Sequence, residues 1–164
     1  MVTGGIGKGM IIAAWALLLG LLTWLFQARL DEFSNPNQEL QRLQGEVGVV
    51  LKRNRAGHYL APGQINGHPV LFLLDTGATS VAVPQGLAQR LGLKPGGVIQ
   101  SITANGRVQA WRTRLDEVRL GPIVKTGVSG VIMPNMPGDQ VLLGMSFLRS
   151  LELVQRDGRL ILRP

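Results

Sequence analysis

The chain contains no cysteine. That excludes a disulfide scaffold, a thiol nucleophile and any thiolate metal site, while leaving the compartment open. Histidine is nearly as scarce: His58 and His68 are the only two, and neither has the spacing to a glutamate that metal ligands show. No metal or other cofactor is therefore expected. A Gly-x-Ser-x-Gly elbow is also missing, and Ser80 has no evident His partner, which sets serine-hydrolase chemistry aside. Gly4 to Gly9 carries Lys8 but lacks the spacing of a phosphate-binding loop, and no strand precedes it. Acidic residues number 10 against 17 Lys and Arg, a formal charge of +7. The basic residues are scattered, with Lys52, Arg53 and Arg55 the densest group, and no aromatics interleave with them. The charge thus reads as a solvated surface suited to a membrane neighbour rather than to nucleic acid. Charged residues make up 16% and aromatics 5%, whereas hydrophobic residues reach 45%, which is too apolar for a disordered chain. With 22 Gly and 9 Pro the composition suits a turn-rich β protein better than a helical bundle.

What is present begins with Met10 to Phe26, seventeen residues without a charge. As a helix the run spans about 26 Å, and Gly9 and Gln27 bring it near the ~30 Å hydrocarbon core of a bilayer. It exceeds the apolar stretch of a secretory signal, and Phe26-Gln27-Ala28 lacks a small-x-small cleavage pattern. It is apolar on every face, so a small domain has little room to bury it. The expectation is an uncleaved transmembrane anchor at 10–27, preceded by a segment 1–9 and followed by a tether 28–45 and a domain 46–164. Lys8 favours a cytoplasmic N-terminus and Arg29 the reverse; the expected orientation places the domain outside. Asn35-Pro36-Asn37 stops the anchor helix, and Glu39 to Gln44 reads as a short helical turn.

Within the domain, Asn66-Gly67 predicts a hairpin joining Tyr59–Ile65 to Val70–Leu74. The second arm runs straight into Asp75-Thr76-Gly77-Ala78-Thr79-Ser80. A carboxylate there either bonds its own turn or stands in a cleft, because a lone buried ion is unfavourable. Val81 to Val83 follows as a strand, and Pro84 opens a helix that Gly92 stops. Ala104-Asn105-Gly106 predicts a second hairpin within Val98 to Arg112. Val141 to Leu148 is an apolar strand running through Gly144 into a short helix, and Asp157-Gly158 turns a last hairpin.

Five apolar residues, then Asp75-Thr76-Gly77-Ala78-x-Ser80, then the hairpin, then Leu142-Leu143-Gly144-x-x-x-Leu148, occur in an order that resembles the retropepsin-like aspartic proteases. The resemblance covers roughly Gln64 to Phe147. It implies a mainly β, single-lobed closed barrel with short helices, here preceded by one transmembrane helix. It implies peptide-bond hydrolysis with Asp75 as the catalytic residue, supported by Thr76, Gly77 and Ala78. Ile102, Thr103, Ala104, Asn105, Gly106, Arg107 and Val108 would form a flap over bound peptide, and Leu143 and Gly144 would pack beside the catalytic loop. The chemistry uses two carboxylates sharing one proton. Asp31, Asp116, Asp139 and Asp157 lack the Asp-Thr-Gly setting, so the resemblance implies a homodimer with one Asp75 from each copy, its interface built partly from terminal strands. The expected partners are therefore a second copy, a protein or peptide substrate and a membrane. The expected location is the bacterial inner membrane, single-pass, with the domain periplasmic. The other reading of the same residues is a membrane-tethered peptide-binding or dimerisation module without turnover.

Overall fold

The structure, a computed structural model, describes residues 4–43, 45, 47–103 and 106–164. The chain divides into two compact units after Ser34. The first is a single helix, α1 (Gly4–Ser34). Its Gly7–Phe26 stretch is long and apolar enough to cross a membrane, with a mean hydropathy of 2.1 and no part of it buried. Thr23 Oγ1 donates to Leu19 O at 2.7 Å, so this hydroxyl is satisfied within the helix itself. Ala28 to Phe33 contains no helix breaker and the helix continues through it; Asn35-Pro36 stops it, because proline disfavours helical backbone in the residue before it.

The second unit is mainly β. In chain order it contains β1 (Gln41–Arg42), β2 (Val49–Lys52), β3 (Leu60–Ile65), β4 (His68–Leu74), β5 (Val81–Pro84), α2 (Gln85–Arg90), β6 (Val98–Thr103), β7 (Gly106–Leu120), β8 (Ile123–Met133), β9 (Gln140–Leu143), α3 (Met145–Leu148), β10 (Glu152–Arg156) and β11 (Arg159–Arg163). One sheet has the order β1-β2-β11-β10 and the other β3-β4-β9-β5-β8-β7-β6. A further pairing of Gln64 and Ile65 with Arg119 and Val118 carries hydrogen bonding from β7 back to β3. On the opposite side of that circuit β5 meets β9 through one residue pair, Ala82 and Leu142.

The hairpin turns follow the residues that encode them. Asn66 and Gly67 have φ of 50° and 78°, and Asp157 and Gly158 have 50° and 70°. Positive φ at both central positions matches the right-handed twist of the strands that such turns join. The core is built from strand positions that alternate inward, with Leu51, Ile65, Phe72, Leu115 and Leu120 among the side chains without solvent exposure, and from Phe147 of α3. Each such side chain contributes about 1.5–3 kcal/mol of burial.

Two expectations need correction. The tether expected at 28–45 divides differently: its first part continues α1, and the compact unit starts at Asn35 rather than at 46. The reason is Asn37, which is 3% exposed. Its Nδ2 donates to Lys52 O and Leu60 O, both at 2.8 Å, and its Oδ1 accepts from Lys52 N–H at 2.6 Å. A polar side chain is thereby satisfied between β2 and the start of β3. Second, the helical turn expected within Glu39 to Gln44 is instead β1, where Gln41 pairs with Val50 and Arg42 with Val49; Gln44 itself lies outside the described residues. The terminal strands pair within one chain, with β11 between β2 and β10.

Asn37→Ala should lower the unfolding free energy by about 1–3 kcal/mol, because it leaves buried backbone groups without partners. Urea denaturation reads this directly, and an unchanged midpoint would detach Asn37 from the domain.

Candidate active site

The chain reaches the site along β4, which lies parallel to β9 with Leu74 opposite Leu143. Two parallel strands end at the same level, so Asp75 and Gly144 leave the sheet side by side. Asp75 N–H donates to Leu143 O at 3.2 Å, and Ala78 N–H returns to Asp75 O at 3.3 Å to close the turn. Gly77 N–H donates to Asp75 Oδ1 at 2.8 Å. The local turn bonding open to any Asp at such a junction is thus made, but by one carboxylate oxygen. Oδ2 accepts nothing from the described residues, and the half-buried carboxylate sits beside exposed Thr76 and Gly77.

Beneath this loop, Gly144 touches backbone. A Cβ placed there would stand 2.4 Å from Ser80 O and 2.6 Å from Ala78 O, closer than real contacts allow. The start of α3 then donates into the loop, Met145 N–H to Ala78 O at 2.8 Å and Ser146 N–H to Thr79 O at 2.9 Å. Ser146 Oγ accepts from Val81 N–H at 3.0 Å and donates to Ser129 O at 2.7 Å. It therefore ties the exit of the loop to α3 and β8. Sequence reading missed Ser146, which falls at an unspecified position of Leu-Leu-Gly-x-x-x-Leu.

The loop borders a cleft of about 1020 Å³. Asp75, Gly77 and Ala78 line it from the loop, Ile99 to Ile102 from β6, and Val131 and Met133 from β8. Of the expected flap residues, Ile102 lines the cleft and is 81% exposed. Thr103 pairs with Gly106, and Ile102 with Arg107. Gly106 and Arg107 are exposed and Val108 is half-buried, while Ala104 and Asn105 lie outside the described residues. Leu143 is fully buried and supports the loop from below. Among the described residues no three His, Asp or Glu side chains gather as metal ligands.

A second cavity, about 430 Å³, lies against Thr79, Ser80 and Ser146 and contains Lys125 and Arg149. Lys125 Nζ donates to Phe147 O and Ser150 Oγ and stands 4.9 Å from the centroid of the Phe147 ring. Burial, and secondarily the Arg149 guanidinium, push its ammonium below the ordinary lysine pKa. Lys125 is thus committed to holding the end of α3.

A strand ending in Asp-Thr-Gly, seated on a Leu-Leu-Gly strand and faced by a β-hairpin, is the arrangement of the retropepsin-like fold. The family described as "gag-polyprotein putative aspartyl protease" matches residues 61–150, more than half of the chain. A retropepsin-like aspartic protease from Rickettsia conorii superposes with a TM-score of 0.60 at 28% identity, over 76% of this chain and 91% of that one. The chain is also 36% identical over 115 residues to "Uncharacterized protein in cobV 5'region" of Sinorhizobium sp, covering 68% of this chain and 49% of the relative. It is 33% identical over 107 residues to "Uncharacterized protein RP867" of Rickettsia prowazekii, covering 63% and 46%. It spans about half the length of these two relatives. The chain belongs to the retropepsin-like aspartic protease family.

Two glycine replacements separate the seat of the loop from generic glycine effects. Gly144→Ala should destabilise the domain by about 1–3 kcal/mol or more, since only backbone can yield to the added methyl. Gly86→Ala in α2, where a Cβ meets nothing within 4 Å, should be neutral or stabilising by up to about 1 kcal/mol. Thermal denaturation of both variants checks the contrast, and equal effects would contradict it.

Proposed function

We propose that the domain is an aspartic endopeptidase that works as a homodimer, with Asp75 of each copy supplying one carboxylate. The observation that carries this reading is the Asp75 carboxylate itself, held at the cleft by one oxygen while the other accepts nothing from the described residues. The other described aspartates of the domain have settled places: Asp116 is exposed, Asp139 pairs with Arg90 at 2.6 Å, and Asp157 sits in a hairpin turn. A second reactive carboxylate therefore comes from a second chain.

In this reading the ionised Asp75 takes a proton from water as the water oxygen attacks the peptide carbonyl carbon. The protonated Asp75 of the other copy gives its proton to the carbonyl oxygen. As the resulting diol collapses, one of its hydroxyls returns a proton to the pair, the C–N bond breaks and the amine leaves with a proton from the pair, so the dyad ends with one proton as it began. Thr76 would steady the two loops across the dimer axis and Gly77 and Ala78 would border the substrate, while Leu143 and Gly144 hold the loop from below. The hairpin from Ile102 to Val108 would close over the peptide and exclude water.

The same proposal makes α1 an uncleaved anchor in the bacterial inner membrane, with the domain on the periplasmic side. The exposed apolar stretch Gly7–Phe26 supports it. Anchoring two copies in one plane would raise their effective concentration and favour pairing without any added contact.

The test is cleavage of a diverse peptide library by the full chain in detergent micelles, beside Asp75→Asn. The variant should lose at least ~100-fold in kcat/KM, and parental activity per chain should rise with protein concentration. Equal cleavage by both would assign the activity elsewhere and return Asp75 to a turn residue.

A further inference from the structure

The cleft carries a second ionisable side chain besides Asp75, and it is basic. Arg112 lines the cleft at the root of the β6–β7 hairpin, opposite Val131 in register. Its backbone is held by the Gly96-Gly97 segment: Arg112 N–H donates to Gly97 O at 3.0 Å, and Arg112 O accepts from Gly96 N–H at 2.7 Å. Thr113 Oγ1 donates to Lys94 O at 3.0 Å, which holds the same loop against β7. The side chain is exposed, and among the described residues no carboxylate lies within ion-pair distance of it. Elsewhere on the domain Arg90 and Arg119 face Asp139 and Glu117 at 2.6 and 3.0 Å. Arg112 is therefore a cation at the cleft wall on a hydrogen-bonded strand, without an ion-pair partner among the described residues.

Its surroundings suit an anionic side chain. Ser101 and Ser129 are polar residues of the cleft wall, whereas Ala82, Met133 and Leu142 make other parts apolar. The cleft thus pairs apolar subsites with one basic position. An arginine fork binds a carboxylate through two parallel charge-assisted hydrogen bonds, which an amide of the same shape cannot match.

We infer that Arg112 is a specificity-determining residue that selects peptides with Asp or Glu at one position away from the cleaved bond. The inference rests on the protease reading for the word "cleaved", but the binding preference itself does not need turnover.

The test uses the full chain in detergent micelles and short peptides with two central leucines, carrying Glu, Gln or Lys at each flanking position in turn. At one position the parent should favour Glu over Gln by about 10-fold in kcat/KM. That ratio should shrink as salt rises, since the pair is solvent-accessible. Arg112→Gln should bring the Glu-to-Gln ratio close to one, and Arg112→Glu should reverse the preference toward Lys. The same fluorescently labelled peptides are then bound to the Asp75→Asn chain, alone and combined with each Arg112 substitution, and anisotropy is read. Charge-selective binding without cleavage by the parent would overturn the protease reading and uphold the role of Arg112. Cleavage with no preference for Glu at any position, or a preference that survives Arg112→Glu, would overturn the role of Arg112 and leave the protease reading standing.

Discussion

The structure around the cleft depends on one close approach, that of Gly144 to the carbonyls of Ala78 and Ser80. No side chain fits between them, so the backbone after β9 lies directly under the backbone after β4. The parallel pairing of β4 with β9 puts the two strand ends level, and the N–H groups of Met145 and Ser146 then satisfy loop carbonyls from below. A turn of six residues would be free to move if it faced water on both sides. Here its lower side is bonded to α3, and Phe147 and Leu148 anchor α3 in the core. Ser146 and Lys125 extend the bracing to β8. The carboxylate of Asp75 is thereby presented over a bonded floor, which is what the proposed proton transfer at hydrogen-bond range needs.

The same arrangement leaves the site open on the side away from α3. Thr76, Gly77 and Ile102 are exposed in the single chain, and an isoleucine 81% exposed at the end of a hairpin is an apolar surface without a cover. A peptide and a second copy both fit as covers, and the proposed dimer uses both. The terminal strands β10 and β11 join β1 and β2 in a four-stranded sheet within one chain.

The fold was legible where turn chemistry is strict. Asn66-Gly67 and Asp157-Gly158 can adopt positive φ at both positions, and each sits where the sequence places it. The apolar run before Asp75 was equally plain as a strand, although only its Phe72 is fully buried and Val70, Leu71, Leu73 and Leu74 are half-buried. Asn37 was not legible: a buried asparagine looks like a linker residue until its three partners, far away in sequence, are known. β1 was missed for the same reason, since two residues carry no periodicity. In the site, Asp75 and Gly144 stood out through their motifs. Ser146 and Arg112 did not, because one acts through the backbone of distant segments and the other reaches the cleft wall only through the pairing of β7. Ala104 and Asn105, expected in the flap, fall outside the described residues.

The central claim is that one domain holds half of a site. Mixing the parent with the Asp75→Asn chain at fixed total concentration, after exchange in shared micelles, measures this most directly. If each site takes an Asp75 from both copies, an equal mixture should retain about one quarter of the parental peptide-cleaving activity, as random pairing of two chains requires. Retention of about one half would mean that each chain works alone, and the shared site would be wrong.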